Sequence, residues 1–391
     1  MKDDRHRTPV SLLTITREWG RIGITGFGGP PAHISLLRQL CVSDHDWLST
    51  KDFEDGIAAV NLLPGPASTQ LAIFCAWRIR GVAGALVGGF CFIVPGLTLI
   101  IALSVLFLAA RPPRWIEGAA AGAGAAVPVV AVQASLLLLP AGWKRAGPER
   151  TARVRWIVYF AGGAVGASAV GPFLVVVLFS CGFIEILMRR ELGLSQSRTS
   201  AIITPVFLVS TTVGGLGALA WVAFKVGALS YGGGFVIIPL MQHDAVTTYH
   251  WMSGGQFLNA VALGQVTPGP VVQTVAVVGY AAAGIGGALL AAVIAFAPSF
   301  MFVIAGGPRF DLIRRSRPVQ TFLTGAGASA VGAIAGASVP LALALSHLWQ
   351  LVPLGMTALW LFVLRRNVVW GIVGAGLVGV LSVLAGAPAR L

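Results

Sequence analysis

The sequence predicts an all-α polytopic membrane protein built from two homologous halves. Of its 391 residues, 56% are hydrophobic and 10% are charged, whereas soluble domains carry roughly 25% charged residues. The mean hydropathy is +0.83, and apolar runs long enough to cross a bilayer core of about 30 Å recur from end to end. The motifs of the first half also return, in the same order, in the second.

The repeat keeps one register over its most distinctive positions. Pro64-Gly65-Pro66 and Pro268-Gly269-Pro270 lie 204 residues apart, and so do Trp47 and Trp251. One deletion later, Pro95 pairs with Pro298 at 203 residues. Such self-similarity indicates a tandem duplication, and we place the two repeats at residues 1–190 and 191–391.

The apolar runs predict about 10–13 transmembrane segments, several of them broken. The candidate spans are 12–40, 57–77, 81–110, 118–140, 154–168, 171–188, 201–222, 224–242, 257–280, 284–305, 319–345, 349–364 and 368–388. The loop after the first Pro-Gly-Pro segment carries Arg78 and Arg80, whereas its twin, residues 280–284, carries no charge. Because basic residues collect in cytoplasmic loops, this difference predicts halves of inverted topology.

Composition also excludes several classes of protein. The net charge of +13 comes from residues in predicted loops, as expected of a membrane protein, so we expect no nucleic-acid partner. The four cysteines have no CxxC spacing, so we expect neither disulfides nor a metal site. The N-terminus lacks the apolar core of a cleaved signal peptide, so we expect none. No HExxH, P-loop or GxSxG triad pattern occurs, so we expect neither an enzyme nor a cofactor.

Paired helix breaks predict a substrate site. Inverted-repeat transporters bind substrate near the midplane, where broken helices of both halves meet. Gly28 and Gly29 interrupt one apolar helix, and Gly232, Gly233 and Gly234 interrupt its counterpart.

The Pro-Gly-Pro triplets make the prediction more specific. Pro64, Gly65 and Pro66, like Pro268, Gly269 and Pro270, are expected to precede new half-helices, whose free N–H groups and dipole favour anions. Side chains in or near the first turns that can donate to an oxyanion are Ser68, Thr69, Gln70, Gln273 and Thr274. The alternative is that the triplets only kink a helix for packing.

Matched polar residues extend this candidate site. Arg21 and Lys225 are equivalent basic residues before the glycine breaks, and they either contact the anion or extend to the interface. Asn61 and Gln265 are equivalent amides three residues before each triplet, able to coordinate substrate or to satisfy broken backbone. The candidates for a proton relay are His33, Glu54 and Asp55; a helix or core role for His33 and a solvated loop for the two acids are the alternatives.

The motif around Phe27-Gly28-Gly29-Pro30-Pro31-Ala32-His33, together with Leu63-Pro64-Gly65-Pro66 and their counterparts, resembles the chromate ion transporter family in its long, two-domain form. The resemblance covers nearly the whole chain. It implies a secondary active transporter of the bacterial inner membrane that exports chromate and confers resistance, driven by an ion gradient. Chromate resembles sulfate in charge and shape, so the resemblance also implies sulfate as a competitor.

Several alternatives remain open from the residues alone. They are a sulfate-type permease or exchanger for divalent oxyanions, a channel, and a membrane scaffold or receptor that transports nothing. The expected partners are the lipid bilayer, chromate and sulfate. A proton is the candidate coupling ion. A homodimer is one of the oligomeric states that the sequence leaves open.

Overall fold

The computed structural model describes residues 10–61, 63, 65–109, 112–170, 174–191, 215–230, 236–306 and 316–388, and all regular elements in these ranges are helical. The first half contains α1 (Leu12–Thr25), α2 (Pro30–Arg38), α3 (Thr50–Val60), α4 (Ala67–Phe107), α5 (Arg114–Ala146), α6 (Arg150–Val165) and α7 (Leu174–Glu191). The second contains α8 (Leu216–Leu229), α9 (Ile237–Gln242), α10 (Gly254–Val266), α11 (Thr274–Gly306), α12 (Arg317–Leu343), α13 (Leu351–Ala358) and α14 (Val368–Leu384).

Within the described ranges the two halves correspond element by element. A π-helical turn at Gln39–Asp44 follows α2, and its twin at His243–Thr248 follows α9, 204 residues later. Ser49 and Ser253 are the equivalent N-caps of α3 and α10, and each accepts a hydrogen bond from the backbone N–H three residues on. The duplication seen in the sequence is therefore preserved in local structure.

The structure confirms one predicted break and corrects other predicted spans. The span 12–40 is interrupted at Gly28 and Gly29, as predicted: it is two helices, α1 and α2, because the chain leaves helical geometry at these glycines, whose φ angles are 102° and 72°. The predicted division between spans 201–222 and 224–242 is wrong, since α8 runs without interruption from Leu216 to Leu229. Residues 201–214 of the first of these spans lie outside the described residues.

The predicted spans 57–77 and 257–280 do not run straight but fold back as hairpins. Asp52 near the start of α3 pairs with Arg78 near the end of the first segment of α4, at 2.8 Å, and Gly56 packs against Phe74. In the second half Gly264 similarly packs against Thr274. Each hairpin therefore has its Pro-Gly-Pro triplet at the tip.

A second reversal follows each hairpin. Helix α4 is bent at Arg80 and Gly81, where φ of Gly81 is 60°, and α11 is bent in the same way at Ala283 and Gly284. A positive φ is costly for residues with a Cβ atom, so glycine suits both positions. Beyond the bend, residues 82–107 run back beside the first segment, bringing Gly84 against the carbonyl of Ala76.

The long helices α5 and α12 show that the halves are inverted. They occupy equivalent places in the two repeats, and they contact each other where the Ser135 hydroxyl donates to the Val331 carbonyl at 3.0 Å. Arg145, near the end of α5, lines a common cavity with Arg317 and Gln320, at the start of α12. Equivalent helices thus run antiparallel, which gives the protein the topology of an inverted repeat.

Small residues hold the long helices together, as is usual in membranes. Gly118 and Gly122 of α5 pack against Gly379 and Ala375 of α14. Among the residues that the structure describes, four helical segments are long and apolar enough to cross a membrane: Ala67–Phe107, Arg114–Ala146, Val271–Gly306 and Arg317–Leu343. Large apolar side chains such as Leu137 and Val293 are exposed on these helices, as expected of a lipid-facing surface.

Candidate functional site

The first hairpin tip lies between α3 and α4. Asn61 is the C-cap of α3, and Pro66 is the N-cap of α4. Gly65 has a φ of 127°, a conformation that residues with a Cβ rarely adopt. The first turn of α4 then carries Ser68, Thr69 and Gln70 as fully buried side chains. A half-helix therefore begins at the predicted place, with its unpaired N–H groups at the tip.

The second tip has the same design but a different first turn. Gly269 has a φ of 101°, Pro270 is the N-cap, and a 3₁₀ turn at Val271–Gln273 precedes α11. The Gln273 amide donates to the Ile93 carbonyl of the first half at 2.9 Å. The Thr274 hydroxyl donates to the Val271 carbonyl at 2.8 Å. Gln265 is buried near the end of α10.

Reciprocal backbone hydrogen bonds join each tip to the helix break of the other half. The Gly65 N–H donates to the Ser230 carbonyl, and the Gly269 N–H donates to the Gly26 carbonyl, both at 3.1 Å. Gly26 and Ser230 are themselves equivalent, 204 residues apart. Contacts that repeat with their partners exchanged are the signature of a two-fold axis. Each hairpin tip is thus hydrogen-bonded to a residue beside the helix break of the opposite half.

Several buried polar atoms near the tips have no hydrogen-bond partner among the described residues. They are Thr69 Oγ1, Ser230 Oγ, Gln273 Oε1 and Ser299 Oγ. A methyl group added at Gly65 would lie 3.3 Å from Ser299 Oγ, so this hydroxyl faces the first tip. Unsatisfied buried polar atoms are rare in native proteins, and their concentration here supports a polar ligand site.

Two neighbouring cavities lie between the first tip and the ends of α5 and α12. The inner cavity, of about 250 Å³, is lined by Asn61, Gly65 and Ala67 at the tip and by helices α5 and α12. It shares Arg145 and Thr324 with a larger cavity of about 480 Å³, which we call the arginine vestibule. The vestibule is lined by Arg145, Ala146, Gly147, Pro148, Glu149, Ala152, Arg155, Arg189, Arg317, Gln320, Thr321 and Thr324.

The two predicted basic residues differ in their surroundings. The Arg21 side chain is 60% exposed and pairs with Glu18 at 2.9 Å, one turn earlier on α1. The Lys225 side chain is 15% exposed and forms an ion pair with Asp244 of the π-helical turn at 2.5 Å. Its Nζ also lies 5.9 Å from the centre of the Trp221 ring. Asp244 therefore compensates the charge of Lys225 close to the second helix break.

The proton-relay candidates are separated. His33 is fully buried, and its Nε2 lies 2.8 Å from the carbonyl of Gly26, which also accepts from Gly269. Its ring thus braces the first helix break. Glu54 is largely exposed and pairs with Arg38 at 3.2 Å, and Asp55 is its neighbour on α3. The two acids lie in the middle of α3, which runs from Thr50 to Val60 and ends at the tip.

Some predicted residues fall outside the described residues: Pro64, Gly232, Gly233 and Gly234. Others were missed by sequence reasoning, above all Glu185, a buried carboxylate on α7 that pairs with Arg155 and Arg189. The basic residues of the vestibule were noticed only as markers of topology. The one signal for Glu185 in the sequence was that a carboxylate lies near the end of an apolar helix. In the part of the chain that the structure describes, no cluster of His, Cys, Asp or Glu side chains is arranged to hold a metal ion.

Taken together, these features define a class of protein. An all-α membrane protein with inverted halves, in which each hairpin tip is bonded to the opposite half, has an architecture found among membrane transporters.

Comparison with known proteins then gives the family. The family model "Chromate transporter" matches residues 13–186 and 217–380, one part in each half, and the chain belongs to this family. It is 31% identical over 350 residues to the chromate transport protein of Cupriavidus metallidurans, covering 86% of this chain and 84% of that one. It is 30% identical over 396 residues to the chromate transport protein of Pseudomonas aeruginosa, covering 95% and 92%.

One further relative has a name that gives no substrate. An uncharacterized transporter of Methanocaldococcus jannaschii is 24% identical over 355 residues, covering 86% of each chain. No solved structure matches the chain. The division of the repeats at residue 190 lies between the two matched parts and stays a prediction.

Proposed function

We propose that the protein exports chromate across the bacterial inner membrane as a secondary active transporter. The observation that carries the proposal is the reciprocal hydrogen bonding of each hairpin tip to the opposite half. Beside the first tip lies a cavity that shares Arg145 and Thr324 with the arginine vestibule. Two relatives at about 30% identity are named chromate transport proteins, and we take chromate as the transported ion from these names.

The dianion binds between the tips in this proposal. The free N–H groups and positive dipole ends of α4 and α11 point to it. The buried hydroxyls and amides of Ser68, Thr69, Gln70 and Gln273 supply further donors, and Asn61 and Gln265 flank them. The Thr274 hydroxyl already donates to the Val271 carbonyl, so Thr274 contributes through its place in the first turn. In this proposal Arg21 and Lys225 contact the anion as members of their ion pairs with Glu18 and Asp244.

The arginine vestibule supports the proposed direction. Arg145, Arg155, Arg189 and Arg317 lie at one end of the long helices, and basic residues favour the cytoplasmic side of a membrane. An exporter would load its substrate from such a cytoplasmic cavity, and the direction itself is taken from the resemblance to chromate exporters.

Chromate accumulation in cells tests this function. Cells expressing the wild-type chain should accumulate less chromate than cells expressing Gly65→Ala, in which the added methyl group would clash with the Gln70 side chain at a φ that alanine disfavours. Gly286→Ala is the matched control, because no atom lies within 4 Å of the added methyl group. Membrane levels of all three chains are matched by immunoblot.

Other outcomes contradict the proposal in distinct ways. Greater chromate accumulation in wild-type cells would reverse the direction and favour a sulfate-type permease for divalent oxyanions. Equal accumulation in all strains would show that chromate is not the substrate. Proton coupling through His33, Glu54 or Asp55 is a separate proposal, tested by the dependence of chromate efflux on an imposed pH gradient.

A further inference from the structure

The lining of the arginine vestibule is rich in side chains that can bind an anion. Four arginines, Arg145, Arg155, Arg189 and Arg317, line a volume of about 480 Å³. Gln320 and Thr321 add neutral polar side chains on the α12 side. Arginine is well suited to tetrahedral oxyanions because its planar fork offers several donors in fixed geometry.

A buried carboxylate lies directly behind two of these arginines. Arg155 donates through Nε and Nη2 to Glu185 at 2.8 and 3.2 Å, and Arg189 Nε donates to the same carboxylate at 2.8 Å. The Tyr159 hydroxyl completes the cluster at 3.2 Å. The Glu185 side chain is 3% exposed, so it holds the arginines in place without facing the cavity itself.

The charges of this cluster match a dianion. The four guanidinium groups carry +4, and Glu149 in the wall and Glu185 behind it carry −2, which leaves +2 among the described residues. A guanidinium has five N–H donors. Glu185 occupies two on Arg155 and one on Arg189, so both side chains retain donors while they line the cavity.

We propose that the arginine vestibule is a second anion-binding site, for divalent tetrahedral oxyanions, and that Glu185 sets its affinity by positioning and partly neutralising Arg155 and Arg189. This inference rests on the proposed function, because it takes the identity of the transported ion from it. The dianion binds first in the vestibule and then passes through the inner cavity to the hairpin tips. Glu185 acts through the two arginines and does not touch the ion.

Sulfate binding to the full chain in lipid nanodiscs tests the site by titration calorimetry. Glu185→Gln removes the internal negative charge but keeps both arginines, so it should tighten sulfate binding about tenfold, which corresponds to ~1.4 kcal/mol. Arg317→Gln should weaken sulfate binding by a similar factor, and it leaves the Glu185 cluster intact. Arg150→Gln, on α6 but outside the cavity wall, should bind like the wild type.

Two results would overturn the inference. One is unchanged or weaker sulfate binding by Glu185→Gln, in a variant whose thermal unfolding transition shows that it is folded. This result is expected if Glu185 only stabilises the helices. The other is unchanged binding by Arg317→Gln, which does not depend on whether Glu185→Gln folds.

A further variant separates this inference from the proposed function. Gly65→Ala alters the hairpin tip and should abolish chromate flux, yet it should leave the sulfate affinity of the vestibule unchanged. A chain that shows the predicted sulfate affinities but moves no chromate would overturn the proposed function and leave the vestibule site standing. Loss of vestibule binding in Gly65→Ala would overturn the vestibule as a separate site.

Discussion

The ion pair of Lys225 and Asp244 shows how a single buried charge is accommodated near the centre of the protein. Lys225 is costly in an apolar helix, and Asp244 approaches it from the π-helical turn after α9. The sequence singled out Lys225 because of its apolar neighbours. It did not reveal Asp244 as the partner, because the pairing depends on how the chain turns between α8 and α9.

The pair predicts a defined pattern of stabilities. Asp244→Asn leaves Lys225 without its partner and should lower the free energy of unfolding by about 3 kcal/mol. The double variant Lys225→Met with Asp244→Leu removes both charges and should recover most of that loss. Thermal unfolding in detergent measures the effect; a double variant no more stable than Asp244→Asn would contradict the pairing. Chromate flux through the folded double variant then tests the proposed contact of Lys225 with the anion.

At the scale of elements, the hairpin tips show what local sequence can predict and what it cannot. Pro66 and Pro270 correctly predicted where new helical segments begin, because proline is favourable at a helix start. The reversal of the chain was not predicted, since it depends on the left-handed conformation of Gly65 and Gly269 and on the pairing of Asp52 with Arg78. These are features of tertiary structure.

The close contact between α4 and the second tip makes a prediction about Gly96. A methyl group added there would clash with the carbonyl of Pro268 and approach the Gln273 side chain. Gly96→Ala should therefore displace the second tip and lower chromate flux at least tenfold, while the protein still inserts in the membrane. Gly374→Ala, which has open space around its added methyl group, is the control, and equal flux in both variants would show that the tip does not need this contact.

At the scale of the whole molecule, the inversion of the two halves was predicted from charge alone. Arg78 and Arg80 flank the bend of α4, and the equivalent bend of α11 is uncharged. The antiparallel packing of α5 and α12 gives the same arrangement by geometry. The vestibule was not predicted, because its arginines come from four helices or helix ends that are distant in the sequence.

Labelling of single cysteines tests the inversion in a membrane. In a chain without its four native cysteines, Arg80→Cys and Ala283→Cys place thiols at the two equivalent bends. A maleimide that cannot cross the membrane should label them from opposite sides, with Arg80→Cys reached from the cytoplasmic side. Labelling of both from one side would contradict an inverted repeat.

Chromate flux in vesicles reconstituted with purified protein tests the central claim most directly. The wild-type chain should move chromate, sulfate should compete, and Gly65→Ala and Gly269→Ala should each lose the flux while Gly286→Ala retains it. Flux that persists in both tip variants, at equal amounts of folded protein, would contradict a pathway between the two hairpin tips.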